Sequence, residues 1–129
     1  MLLLDTHTLI WFLNDDPTLP ETTKEWTGTS EHVYVSIATF WEMAIKNSIR
    51  KLKLPDSISR VMEVCRKKHI SILSIKATHL DVLSTLPHIH KDPFDRLLIC
   101  QAKAEGLTLL TVDENIVLYD VQTAWERHA

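Results

Sequence analysis

The chain has 129 residues, 45% of them hydrophobic and 24% charged, with a formal net charge of −3. That length predicts one domain, residues 1–129, able to bury a core without disulfide or metal staples. Gly28 and Gly106 are the only two glycines, which excludes both a P-loop and a dinucleotide-binding glycine fingerprint. Cys65 and Cys100 sit in apolar stretches without CxxC or zinc-like spacing, so a reducing, cytoplasmic setting is expected. No apolar run approaches the roughly 18 residues of a membrane span. The start, Met1-Leu2-Leu3-Leu4-Asp5, lacks the basic stretch of a signal peptide.

Leu2 to Leu4 is an apolar run ending at Asp5 and reads as a buried strand. Thr6 is placed to cap a short helix, His7 to Leu13, which stops at Asn14-Asp15-Asp16-Pro17. Pro20 suits the first turn of a helix reaching about Thr27. Val33, Val35 and Ile37 alternate with Tyr34 and Ser36, so His32 to Ser36 reads as a second strand. A long helix follows, Ala38 to about Ile49, punctuated by Leu54-Pro55-Asp56, and another runs from Ser57 to about Lys68. Ile70 to Ile75 is a third strand, and Thr78 to Leu86 a helix stopped by Pro87. After a loop, His88 to Asp92, Pro93 opens a helix that Gly106 closes. Leu107 to Val112 is a fourth strand, a short helix starts at Asp113, and a last strand is expected near Tyr119 to Val121.

Strands alternating with helices predict an α/β fold: a central, mostly parallel sheet of about five short strands, with helices on both faces. Ligands of such sheets bind at the carboxyl ends of the strands. Charge is unevenly spread. Between Lys46 and Lys68 lie eight basic residues against Asp56 and Glu63, a local +6 that leaves −9 for the remainder. This stretch is either a positive binding surface or a solvated helix face.

Four acids stand out. Asp5 ends the first strand and Asp113 follows the fourth, on one edge of a parallel sheet; Asp113 is also placed to cap the Glu114-Asn115-Ile116 turn. Glu42 shares a helical face with Ala38, Ile45 and Ile49, an unusual place for a carboxylate unless it pairs with Lys46. Asp95 lies on a face continued by Leu98, Ile99 and Ala102; it could instead complement the helix dipole or pair with Arg96 or His90. Asp92 reads as the cap of that helix and as support for a site. Converging carboxylates repel, and one or two Mg²⁺ or Mn²⁺ ions resolve the repulsion, because hard cations favour carboxylate and water. Such ions also activate water for phosphodiester hydrolysis. Thr6, Ser36 and Thr111 lie near the strand ends as supporting hydroxyls. His88 and His90 are expected in a loop or interface role and His7 in packing. Trp11, Trp26 and Trp125 are expected in the core or an interface, and Trp41 in the core.

Four segments carry a resemblance: Leu4 to Trp11, Ser36 to Lys46, His90 to Leu98 and Leu110 to Asp113. In this order they resemble the PIN domain family, and more narrowly the VapC-type toxins of prokaryotic toxin–antitoxin pairs. The resemblance implies a PIN-like fold and a metal-dependent endoribonuclease whose acidic quartet, Asp5, Glu42, Asp95 and Asp113, binds Mg²⁺ or Mn²⁺. Asp92 belongs to the extended motif, and Thr111 matches a hydroxyl residue that often precedes the last acid. The resemblance further implies an RNA substrate, a homodimer and a small antitoxin that holds the toxin inactive. Relatives often carry Gly-Lys-Leu after the glutamate helix where this chain has Arg50-Lys51-Leu52, which leaves the helix ending open. The basic stretch would meet either RNA or the antitoxin.

Other classes fit less well. A haloacid-dehalogenase-type phosphatase needs an aspartate two residues after the first, where His7 stands. A receiver domain needs adjacent acids near the first strand, and these are missing. The non-enzymatic rival is a catalytically silent PIN-like scaffold that binds protein or RNA; loss of one acid would mark it, and all four are present.

Overall fold

The structure, a computed structural model, describes residues 1–125. Its elements, in chain order, are β1 (Leu2–Leu4), α1 (Thr6–Leu13), α2 (Glu21–Thr29), β2 (Val33–Ser36), α3 (Ile37–Ser48), α4 (Ile58–Lys67), β3 (Ile70–Leu73), α5 (Ala77–Thr85), α6 (Pro93–Glu105), β4 (Thr108–Leu110), a 3₁₀ turn (Ile116–Leu118) and β5 (Thr123–Ala124). The five strands form one sheet in the order β3-β2-β1-β4-β5, and every pairing is parallel. The expected α/β architecture is what the chain adopts.

Strand β1 is central, and its alternation divides the core. Leu2 and Leu4 pack with Leu9, Val33, Val35, Phe40, Met43, Val61, Cys65 and Leu110 on one face. Leu3 packs with Leu98, Ile99, Cys100, Leu107, Leu109 and Ile116 on the other. All three leucines are at most 1% exposed, so the run is apolar without a polar side, as a doubly covered parallel strand requires. The two cysteines are buried and unpaired, one in each half of the core. Burial pushes the Cys65 thiol up to about 11 and raises that of Cys100. Among the described residues no helix is long and apolar enough to cross a membrane.

Most expected elements appear within a residue or two, with three differences. The cap of α1 is Asp5, whose carboxylate accepts from the Thr8 amide, while Thr6 lies inside the helix. The last strand is Thr123–Ala124 and not Tyr119 to Val121. Tyr119 is drawn inward, 5% exposed, with its hydroxyl accepting from the amides of Ile89 and His90, so the chain meets the edge of β4 only beyond it. Trp41 is not in the core: it is 58% exposed and meets Phe94 edge-on, 5.2 Å between ring centroids. The inward arc of α3 is Ala38, Thr39, Phe40, Glu42 and Met43, and at 100° per residue position 41 falls opposite. Ile45, toward the outer side, and Ile49, past the last turn, are exposed, so the expected apolar stripe through Glu42 is not continuous.

The ending of α3 is resolved by backbone geometry. The Lys51 amide donates to the Lys46 carbonyl at 2.8 Å and the Arg50 amide to that of Asn47 at 3.1 Å, the paired bonds of a Schellman motif. Arg50 occupies its left-handed position with φ 60°, where a Cβ costs about 1 kcal/mol. Arg50→Gly should therefore stabilise the protein by about 0.5–1 kcal/mol; a raised unfolding temperature in calorimetry is the check, and an unchanged or lowered one refutes the assignment.

Candidate active site

The carboxyl ends of β1 and β4 lie side by side at the point where the sheet order reverses direction, the usual place for a site in an open parallel sheet. Asp5 leaves β1 there. Its amide donates to the Leu110 carbonyl at 3.3 Å, and its Oδ1 accepts from the Thr8 amide at 2.9 Å. One residue thus ends a strand, caps a helix and presents a carboxylate that is 6% exposed. Across the sheet Asp113 follows β4, its amide donating to Thr111 Oγ1 at 3.0 Å and its Oδ1 accepting from the Asn115 amide at 2.8 Å.

Glu42 projects from α3 into the same space and is 5% exposed. Thr6 Oγ1 donates to its Oε1 at 2.7 Å, and Lys46 Nζ to its Oε2 at 2.7 Å. The expected pairing with Lys46 and the expected convergence with the other acids therefore coexist. Contact with Glu42, and the fields of Asp92 and Asp95, hold the Lys46 ammonium above its usual range. From α6 come Asp92 and Asp95. Asp92 Oδ1 caps the helix, accepting from the amides of Phe94 at 2.8 Å and Asp95 at 3.1 Å. Asp95 Oδ2 lies 2.9 Å from His90 Nε2. Burial lifts the Asp95 carboxyl to about 6, with the charges of Asp92, Asp113 and Glu42 pushing the same way and the His90 contact opposing them.

These side chains line one hollow of about 170 Å³: Asp5, Thr6, His7, Glu42, Lys46, His90, Asp92, Asp95 and Asp113. All four expected acids are brought together, with Asp92 and Thr6 beside them. Thr111 stays behind Asp113, 3% exposed, as a backbone anchor. Ser36 is not in the lining; fully buried, it caps α3 by accepting from the Ala38 amide at 3.0 Å. His7 is exposed at the rim and packs on Trp11.

Two contributions go beyond the sequence reading. The pairing of His90 with Asp95 is one of the alternatives the sequence offers, and the ring does more than serve a loop: it enters the acidic hollow, while His88 is exposed and outside that lining. The spacing of His90 from Asp95, five residues across a capped helix start, is the signal that pointed to it. Arg96 is 7% exposed and donates to the carbonyls of Pro87 and Leu86 and to the Tyr119 hydroxyl, fixing the loop that carries His90. The basic stretch divides: Lys46 turns into the hollow, Arg60 and Lys67 pair with Glu63, and Arg50, Lys51, Lys53, Arg66 and Lys68 are exposed.

The raised Asp95 carboxyl sets a pH dependence in metal-free protein. Its folded pKa lies above the unfolded value, so its stabilising proton is held below about pH 4 and lost as pH rises through about 6. Asp95→Asn in EDTA should stabilise the chain by about 1–2 kcal/mol at pH 7.5, allowing for the carboxyl's partial exposure. The gain should shrink at pH 4.5; thermal melts at the two pH values check it, and a gain independent of pH contradicts it.

Residues 2–122 match the family model described as the PIN domain. Three solved structures are similar. VapBC2 from Rickettsia felis, bound to a DNA fragment from their promoter, is 15% identical with a TM-score of 0.73, covering 95% of this chain and 96% of that one. FitAcB from Neisseria gonorrhoeae is 20% identical with a TM-score of 0.62 over 95% and 96%. FitAB bound to an IR36 DNA fragment is 19% identical with a TM-score of 0.66 over 100% and 99%. At these identities the likeness establishes the fold. No curated protein matches the chain.

Proposed function

The chain belongs to the PIN domain family, and we propose that it acts as a single-domain, metal-dependent endoribonuclease, the toxin of a toxin–antitoxin pair. The observation that carries this reading is the gathering of Asp5, Glu42, Asp95 and Asp113 around one hollow, where Lys46 is the only Lys or Arg in the lining among the described residues. The donor set suits a hard divalent cation. Asp5, Asp95 and Asp113 each give one carboxylate oxygen to a protein contact and leave the other without one among the described residues. Glu42 has both oxygens engaged, by Thr6 and Lys46, and would be a ligand through Oε2 if Lys46 released it. One or two Mg²⁺ or Mn²⁺ ions held by these four acids would lower the pKa of a water molecule and stabilise charge on a phosphate.

The chain's own groups bind and orient. Thr6 steers Glu42 through Oε1, Asp92 fixes the start of α6 and so the reach of Asp95, and Thr111 fixes the backbone of Asp113. Lys46, if released from Glu42, would meet an RNA phosphate. Hydrolysis joins the oxygen of water to phosphorus, breaks the bond to one sugar oxygen, and returns a proton to that leaving group.

A protein partner belongs to the same reading. Ile10, Leu13, Met43, Val61 and Val64 line a separate cleft of about 380 Å³, with Lys53 and Arg60 outnumbering Asp56 among its charged lining. Apolar walls beside basic side chains suit an amphipathic, acidic antitoxin segment. Exposed Trp41 and Ile45 on α3, with Ile49 at its C-cap, support a homodimer by leaving apolar surface open.

The deciding experiment incubates purified, antitoxin-free protein with a mixed single-stranded RNA pool in Mn²⁺, in Mg²⁺ and in EDTA, beside Asp5→Asn. Cleavage is expected with metal, none in EDTA, and a loss of at least about a hundredfold in the folded variant. RNA left intact by folded protein under both metals would favour the silent scaffold; full activity in Asp5→Asn would remove Asp5 from the site.

A further inference from the structure

We propose that His90 is a nitrogen ligand of this centre and makes it favour Mn²⁺ over Mg²⁺, an inference that rests on the metal-site reading above. One ligand atom each from His90, Asp95 and Asp113 lie within 4.8 Å of one another, a span that a single ion with bonds of roughly 2.1 Å closes by small side-chain movements. The ring is only 19% exposed and already reaches to 2.9 Å of the Asp95 carboxylate.

The loop is built to hold that ring. The amides of Ile89 and His90 both donate to the Tyr119 hydroxyl, at 3.0 and 2.8 Å. Arg96 donates to the same oxygen at 3.1 Å and, with its other bonds, to the carbonyls of Pro87 and Leu86 at 2.7 and 3.3 Å. Two buried side chains, neither of them in the lining of the hollow, thus clamp the segment before Asp92. His88, two residues earlier, receives no such placement and stays exposed.

The chemistry follows from the donor. A site of carboxylates alone offers Mg²⁺ the oxygen shell it prefers, whereas a neutral imidazole is a better ligand for first-row transition ions than for Mg²⁺. Nε2 carries the proton in its contact with Asp95 Oδ2; with that proton moved to Nδ1, the Nε2 lone pair would be free for an ion shared with that carboxylate. Asp95 and Asp113 then contribute charge, and His90 contributes selectivity.

The test titrates Mn²⁺ and Mg²⁺ calorimetrically into the full chain, His90→Gln, His90→Asn and the control His88→Gln, each checked for fold by circular dichroism. Pulsed electron paramagnetic resonance is recorded on the Mn²⁺-loaded proteins with ¹⁵N-labelled histidine. Mn²⁺ affinity should fall about tenfold or more in both His90 variants, Mg²⁺ affinity less than about threefold, and neither in His88→Gln. A histidine nitrogen coupling should be present in the unaltered chain and absent from the His90 variants. Equal losses for the two metals without nitrogen coupling would overturn the proposal and leave His90 as a hydrogen-bond partner of Asp95. Failure of the nuclease reading looks different: the unaltered chain would bind Mn²⁺ with nitrogen coupling and leave RNA intact.

Discussion

The repulsion among five carboxylates facing one small hollow is the constraint around which the rest of the molecule is arranged. Two unit charges about 5 Å apart at an effective dielectric near 20 repel by about 3 kcal/mol, a large fraction of the net stability of a small domain. The fold offsets this locally, by giving each acid a donor of its own. Asp5 and Asp92 sit on the amides that open α1 and α6, Asp113 on the amides of the following turn, and Glu42 between the Thr6 hydroxyl and the Lys46 ammonium. Helix N-termini carry partial positive charge, so the two cap sites serve as electrostatic sockets. Asp95 is the least compensated, with His90 as its partner, and burial lifts its carboxyl to about 6.

Those sockets are positioned by the sheet. A central strand of three leucines, buried on both faces, has no freedom to slide without exposing an apolar side chain or misplacing its register with Val33–Val35 and Thr108–Leu110. Asp5 is the next residue, so its position inherits that rigidity. Asp113 inherits it through β4, and Asp92 and Asp95 through α6, whose Leu98, Ile99 and Ala102 are buried against the sheet. The site is thus held by elements whose own packing is already determined.

Much of this is legible in the sequence alone. Uninterrupted apolar runs beside helical periods point to the parallel sheet, and acids at strand ends mark the edge where the acidic hollow lies. The two readings open for Asp92 and Asp113, cap and site residue, are compatible, because each carboxylate caps through Oδ1 and still lines the hollow. What stayed hidden depended on contacts remote in sequence. The inward arc of α3, which leaves Trp41 outside, is set by neighbours that no local period reveals. The place of the last strand depends on Tyr119 meeting Arg96 and the amides of Ile89 and His90. His90 was obscured by its neighbour His88: a His-x-His pair invites a joint role, whereas the fold turns only the second ring toward the acids.

The two buried thiols have a use in following how the molecule opens. Cys65 and Cys100 lie on opposite sides of one sheet, each sealed in its own half of the core. Neither can reach the other while the sheet stands, so no internal disulfide traps the chain. Each becomes reactive only when the layer covering it lifts, and the rates at which the two are labelled measure the opening of each layer separately. The protein thereby carries, without added probes, an independent gauge of local unfolding on either side of the sheet that supports its acidic hollow.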